Sequence, residues 1–164
     1  MIHLVRHAEA SDREAILRLY ENARLFMHTH GNPTQWVRGY PAWDMLSADI
    51  ARGELYVMTD GNVVYGVFLL TGEEEPTYAF IHGRWRTRSP YGTIHRICGD
   101  GAHRGILNEA FRFASSLYPR LRADTHENNL PMQRALKRCG FRFAGVIRLK
   151  NGDPRLAYDW QADT

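Results

Sequence analysis

Cysteine is scarce in this chain. Cys98 and Cys139 are its only two, in different predicted elements and outside any short paired motif. A disulfide framework or a cysteine-rich zinc site is not expected, and a reducing, cytoplasmic setting is. Long apolar runs are missing too: no stretch reaches the roughly 20 residues of a membrane helix, so no membrane partner is expected. The N-terminal MIHLVRHAEAS reads as a strand and lacks the basic, apolar and small-residue sections of a signal peptide. Charge of one sign is not in large excess, with 21 basic residues against 18 acidic ones and both spread along the chain. No nucleic-acid partner is expected from a net charge of +3. The one basic cluster, RWRTRSP, has Arg84, Arg86 and Arg88 at alternate positions. On a strand they would share a face, able to meet a phosphate or an acidic partner; the plainer reading is a solvated edge or loop that resists strand aggregation.

What is present is ordinary for a folded domain: 164 residues, 44% apolar and 24% charged, with no repeat, low-complexity tract or linker. One domain over 1–164 with a two- or three-layer core is expected. IHLVRHA reads as a strand, and SDRE as a capping box from Ser11 to Glu14. Ile16, Leu19, Tyr20, Ala23, Phe26 and Met27 then recur at helical spacing, until Gly31, Asn32 and Pro33 break the pattern. A short helix over about 42–51 follows, then two strands around the hairpin signal Asp60-Gly61. A strand over 78–85, another in YGTIHRICGD and a helix marked by Ile106, Ala110, Phe111, Ala114 and Leu117 come next. The strand LRADTH, the helix PMQRALKRC and two strands around Asn151-Gly152-Asp153-Pro154 close the chain. The order predicts an α/β (α+β) mixed sheet of about seven strands, with four helices on both faces. The strand-helix-strand-helix section from 91 to 139 is where such a sheet tends to place a ligand.

Two stretches stand out. In HRICGDGAHRGIL a strand enters a turn with Gly99, Gly101 and Gly105 and then a helix; free amides and the helix dipole suit an anion there, and Arg104 adds charge. In ADTHENNLPMQRALKRCGF, Asn128 or Asn129 can cap a helix whose first turn holds Pro131. Met132, Ala135, Leu136 and Cys139 form its apolar stripe, and Gly140 and Phe141 suit a Schellman ending. One cap needs one side chain, yet Asp124, Thr125, His126, Glu127, Asn128 and Asn129 are all polar. The pair His28 and His30 lacks a third ligand at suitable spacing, so no metal is expected.

With these two stretches in their order, the whole chain resembles the GNAT superfamily of acetyl-CoA-dependent N-acetyltransferases. The resemblance implies a GNAT-like acyl-CoA N-acyltransferase fold, acetyl-CoA as cosubstrate, and an amine acceptor attacking the thioester directly. It places the coenzyme along Arg96, Ile97 and Cys98, with its pyrophosphate on the amides of Gly101, Ala102, His103, Arg104, Gly105 and Ile106. It also implies coenzyme contacts from Asn129 and Met132, acceptor recognition by Trp36, Tyr40 and Asp124, and a homodimer as one form of the protein. The chain departs from the family pattern twice. Its glycine loop is shortened, and Leu136 stands where many members carry a general-acid tyrosine.

An amine is mostly protonated at neutral pH, so the reaction needs a base. The candidates are His95 on the coenzyme strand and Asp124, His126 and Glu127 on the neighbouring one, with Glu127 first and His126 second. Tyr158 and Tyr91 are candidate acids, and Cys98 is read as a core thiol. Two other readings stand beside the acetyltransferase: an acyl-CoA-binding or regulatory module of the same fold without turnover, and a small nucleic-acid binder with salt-dependent association.

Overall fold

The structure, a computed structural model, describes residues 3–163; Ile2, which the sequence puts in the first strand, lies outside the described residues. The elements are β1 (His3–His7), α1 (Arg13–Thr29), α2 (Trp43–Ala51), β2 (Leu55–Asp60), β3 (Val63–Thr71), β4 (His82–Gly83), β5 (Gly92–Gly99), α3 (Ile106–Leu117), β6 (Arg120–Thr125), α4 (Leu130–Arg138), β7 (Arg142–Arg148) and β8 (Pro154–Gln161). The strands make a mixed sheet in the order β1-β2-β3-β5-β6-β8-β7-β4. The class is the expected one, and the strand count is eight because a two-residue strand, β4, pairs with β7. No helix among the described residues is long and apolar enough to cross a membrane.

Two compact units divide the chain, one up to Leu70 with Arg96–Ile106, the other Thr71–His95 with the residues from Leu107 on. The first is built on the antiparallel ladder β1-β2-β3, whose hairpin turns at Gly61 with φ +63°. Leu55 and Val57 of β2 and Val67 and Leu69 of β3 point to one side, as alternate strand residues must. They pack there with Ile16, Leu19 and Tyr20 of α1 and Leu46 of α2. Each fully buried aliphatic of this kind contributes about 1.5–3 kcal/mol of transfer free energy. The α1 start differs from the expected capping box. A one-turn 3-10 helix, Ala10–Asp12, precedes it, and the Glu9 amide donates to Asp12 Oδ2 at 2.8 Å. Arg6 holds the same carboxylate with bonds of 2.8 and 3.0 Å, and this partner above all keeps Asp12 below the usual carboxylate pKa. Asp12 thus pairs with Glu9 in the capping box of the one-turn helix and makes no side-chain cap bond to α1 itself, and Ser11 and Glu14 are not the pair.

In the second unit β6, β8 and β7 run antiparallel, and Phe111 of α3 meets Trp160 and Phe141 edge-on. Helix α4 ends as its sequence predicts. Phe141 N donates to Leu136 O and Gly140 N to Lys137 O, both at 3.0 Å, with Gly140 at φ +94°, which is a Schellman ending. The expected strand over 78–85 is reduced to the two residues of β4, and a 3-10 turn, Pro76–Tyr78, overlaps its start. RWRTRSP is likewise a loop and not a strand face.

Buried Asp159 of β8 organises that loop. Its Oδ2 accepts from Arg86 N at 2.7 Å, Thr87 N at 3.0 Å and Thr87 Oγ1 at 3.2 Å. Buried Arg122 of β6 donates to Thr87 Oγ1 and Thr87 O at 2.9 and 2.6 Å. Its guanidinium lies 4.1 and 4.0 Å from the ring centroids of Trp85 and Tyr91. Two aromatic faces and two acceptors thus compensate a cation that could not otherwise leave water. Replacing Asp159 by Ala orphans the Arg86 and Thr87 amides and is expected to cost on the order of 3 kcal/mol. Equilibrium urea unfolding of Asp159→Ala against the parent checks this.

Candidate active site

Strand β5 pairs in parallel with β6 at Gly92↔Leu121 and Thr93↔Arg122. Paired residues share a face and alternate residues return to it, so Tyr91, Thr93 and His95 lie on the same side as Arg122 and Asp124. His95 is half-buried there between two carboxylates. Its Nε2 is 3.5 Å from Glu75 Oε2 and its Nδ1 is 3.9 Å from Asp124 Oδ2. At those distances neither contact is a hydrogen bond, each is an ion pair only when the ring is protonated, and Nε2 makes no hydrogen bond among the described residues.

Glu75 is the N-cap of the Pro76–Tyr78 turn. Its Oε1 accepts from Thr77 N at 3.3 Å and Thr77 Oγ1 at 3.0 Å, and its own amide donates to Tyr91 Oη at 3.0 Å. Beside His95, and with Thr77 adding its bonds against the cost of burial, the Glu75 carboxyl is held down at about 2. Buried Tyr78 donates its phenol to Asp124 Oδ2 at 2.6 Å. Burial first, and the Asp124 charge second, raise its pKa well above the usual value, so it stays a neutral donor. Sequence reasoning reached His95 and Asp124 and missed Glu75 and Tyr78. The available signal was Glu75-Pro76, a carboxylate before a proline at a helix start, hidden by the expectation of a strand just beyond it.

Arg96, the next residue, adopts φ +48°, a left-handed conformation that is uncommon for any residue but glycine. Its carbonyl accepts from Tyr20 Oη at 2.7 Å, and its guanidinium pairs with buried Asp49 and touches the Met45 sulfur. The Arg96 side chain is thus engaged within the protein. Ile97 and Cys98 are buried, and burial pushes the Cys98 thiol up, which fits a core residue and not a nucleophile.

The glycine loop after β5 bonds to itself. Asp100 Oδ1 accepts from the amides of Ala102 and His103 at 2.9 and 2.8 Å, and Asp100 Oδ2 meets His103 Nδ1 at 2.8 Å. The His103 ring stacks on Tyr65 at 4.0 Å. A side chain added at Gly101 or Gly105, at φ +81° and +73°, would meet nothing within 4 Å, so the space around this backbone is open. The first-turn amides of α3, which begins at Ile106, have no intrahelical acceptors. The loop therefore suits an anion at its Arg104–Ile106 end, while Asp100 fills the Ala102–His103 end.

The polar cluster after β6 serves α4 in large part. Asn129 Oδ1 accepts from Met132 N at 3.2 Å, which makes it the cap. His126 is buried, its Nδ1 accepts from Asn128 N at 3.0 Å, and burial lowers its pKa. Glu127 is exposed, and its carbonyl accepts from Gln133 Nε2 at 2.8 Å. Tyr158 is buried edge-on to Phe143, and burial raises its phenol. Trp36 lies in the first unit's core edge-on to Tyr20, with Tyr40 partly buried beside it. Leu136 is fully buried. Among the described residues no group of three or more His, Cys, Asp or Glu could hold a metal ion.

Residues 3–142 match the model of the acetyltransferase (GNAT) domain. A GNAT-family acetyltransferase from Streptococcus agalactiae has a TM-score of 0.86 and 29% identity, over 99% of this chain and 96% of that one. Another, from Listeria monocytogenes, has a TM-score of 0.72 and 24% identity, over 97% and 94%. The structure of yncA from Salmonella typhimurium, with its cofactor acetyl-CoA, has a TM-score of 0.61 and 19% identity, over 98% and 94%. No curated protein matches the chain. By class this is an acyltransferase. The chain belongs to the GNAT acetyltransferase family, which uses acetyl-CoA, as its sequence resemblance implied.

The loop's internal bonds set a pH window. Hydrogen bonding from Asp100 raises the His103 pKa above 6.5. Burial works to raise that of Asp100, but the His103 and Ala102 amides and the imidazole together hold it below 3.8. A raised histidine stabilises below its unfolded pKa and loses this as pH rises through the folded one; a depressed carboxyl stabilises above its unfolded pKa and loses this as pH falls. The pair thus contributes fully between pH 3.8 and 6.5. The Tm gap between the parent and His103→Gln is expected to be widest near pH 5–6 and to close by about pH 9. Thermal unfolding across that range checks it.

Proposed function

We propose that the chain transfers the acetyl group of acetyl-CoA to a primary amine of a small molecule or peptide by direct attack, with His95 taking the amine's proton. The observation that supports this is His95 itself, half-buried on β5 with a carboxylate near each ring nitrogen. The ammonium first gives one proton to the His95 imidazole; the neutral amine then attacks the thioester carbonyl carbon and the C–N bond forms. The C–S bond breaks, the sulfur leaves with the bonding pair as a thiolate, and the second proton that nitrogen loses passes through water to that thiolate. We assign this role to His95 and not to Glu127 or His126. Glu127 is exposed with its carbonyl tied to Gln133, and His126 spends a ring nitrogen on the Asn128 amide.

Acetyl-CoA fits this reading through groups the chain presents. Arg104, Gly105 and Ile106 would meet the pyrophosphate, and the backbone of Ile97 and Cys98 would run beside the pantetheine arm and polarise the thioester carbonyl. Asn129 and Met132, at the start of α4, remain candidates for orienting the coenzyme. Asp124 would hold the acceptor as an ammonium before its proton leaves.

The test is thiol release from acetyl-CoA across a panel of amines. The parent is expected to release thiol with at least one amine, and His95→Gln to lower the rate at least about a hundredfold with little change in KM for acetyl-CoA. Coenzyme binding without thiol release for any amine would favour the non-turnover module, and an undiminished rate in His95→Gln would remove His95 from the mechanism.

A further inference from the structure

Both carboxylates beside His95 are held by other groups, but only Glu75 is held through the oxygen that does not face the ring. Glu75 Oε1 is spent on Thr77 N and Thr77 Oγ1, so Oε2 alone faces Nε2. The Glu75 main chain is fixed by its amide bond to Tyr91 Oη and by the turn it caps. Tyr91 in turn lies against the Arg122 guanidinium. Asp124 differs: its oxygen nearest His95 already accepts the 2.6 Å phenol bond from Tyr78. It also stands farther away, at 3.9 Å against 3.5 Å. The titratable groups facing His95 are thus Glu75 and Tyr78 from the turn and Asp124 from β6, with the Tyr78 ring 6.1 Å away.

We infer that Glu75 is the positioning residue of the site: it holds the His95 tautomer protonated on Nε2, so that the Nδ1 lone pair faces the Asp124 side and receives the amine's proton. This rests on His95 being the base. Glu75 does not take the proton. It remains a carboxylate while the imidazole becomes an imidazolium, and its charge stabilises that cation. Its carboxyl, held at about 2, is ionised throughout the range in which an imidazole titrates. Asp124 is then left to pair with the incoming ammonium beside Nδ1. One nitrogen of the ring is oriented and the other works.

Steady-state kinetics from about pH 5 to 10 with the parent, Glu75→Gln, Glu75→Asp and His95→Gln test this. Gln keeps the acceptor for Thr77 but not the charge. Glu75→Gln is expected to lower kcat roughly tenfold to a hundredfold and to move the acidic limb of the profile down by about one pH unit, with KM for acetyl-CoA unchanged. Glu75→Asp is expected to recover part of the rate and the original limb. A Glu75→Gln profile whose limb does not move, while His95→Gln is inactive, overturns the inference and leaves the base assignment intact. Full activity in His95→Gln overturns both. A second measurement needs no variant: histidine-ring 15N shifts in the parent are expected to show His95 protonated on Nε2 when neutral, and the opposite tautomer would overturn the proposal.

Discussion

A carboxylate almost out of reach of water, Asp159, fixes more of this protein than any other single group. Buried at the end of β8, it needs donors, and the loop amides of Arg86 and Thr87 supply them. Thr87 then accepts from Arg122, and Arg122 needs flat faces for a cation that has left water; Trp85 and Tyr91 are those faces. Tyr91 so placed accepts the amide of Glu75, Glu75 caps the turn that carries Tyr78, and Tyr78 bonds Asp124. The order of His95's surroundings thus traces back, bond by bond, to one buried charge in the second unit. A half-satisfied chain of this kind would be worse than an apolar core, so its members hold together as a set.

The chemistry uses the same physics in reverse. The proposed base must meet water and substrate, and His95 suits that role: it is half-buried, with its ring nitrogens 3.5 and 3.9 Å from carboxylate oxygens instead of being consumed by tight bonds. His126 shows the alternative, a buried ring nitrogen spent on a backbone amide. The next residue along β5 is held in a left-handed conformation by Tyr20 and Asp49, and so breaks the regular strand directly after His95. Backbone strain of order 1–3 kcal/mol persists only where its surroundings enforce it. Here a phenol and a buried carboxylate do so.

Much of the fold was legible because local chemistry and tertiary packing agree. In α4 the Asn129 cap, Pro131, the apolar stripe and the Gly140-Phe141 ending all appear where the sequence puts them. The hairpin at Gly61 and α3 after the glycine turn are also as read. The first helix was legible in its apolar spacing but not in its start, since a one-turn helix precedes it whose Asp12 carboxylate is held by Arg6 of β1 and the Glu9 amide. The segment from 76 to 91 was not legible. Its alternating arginines mimic a strand face, and nothing nearby in sequence announces that Asp159, some seventy residues later, holds it as a loop. The same gap hid half of the site. Titratable residues on β5 and β6 could be placed on one face by counting, whereas Glu75 reaches His95 only through that loop.

The sequence by itself determined the family, the order of elements, the glycine turn before α3 and the candidacy of His95 and Asp124. Residue periodicity, caps and turns act over a few neighbours, and a single chain displays them. Only the tertiary structure decided which carboxylates face His95, that the Arg96 side chain pairs with Asp49, and that Asp100 bonds part of its own loop. Each of these depends on burial and on partners far away in sequence, where desolvation makes a charge choose the donors that folding brings within reach.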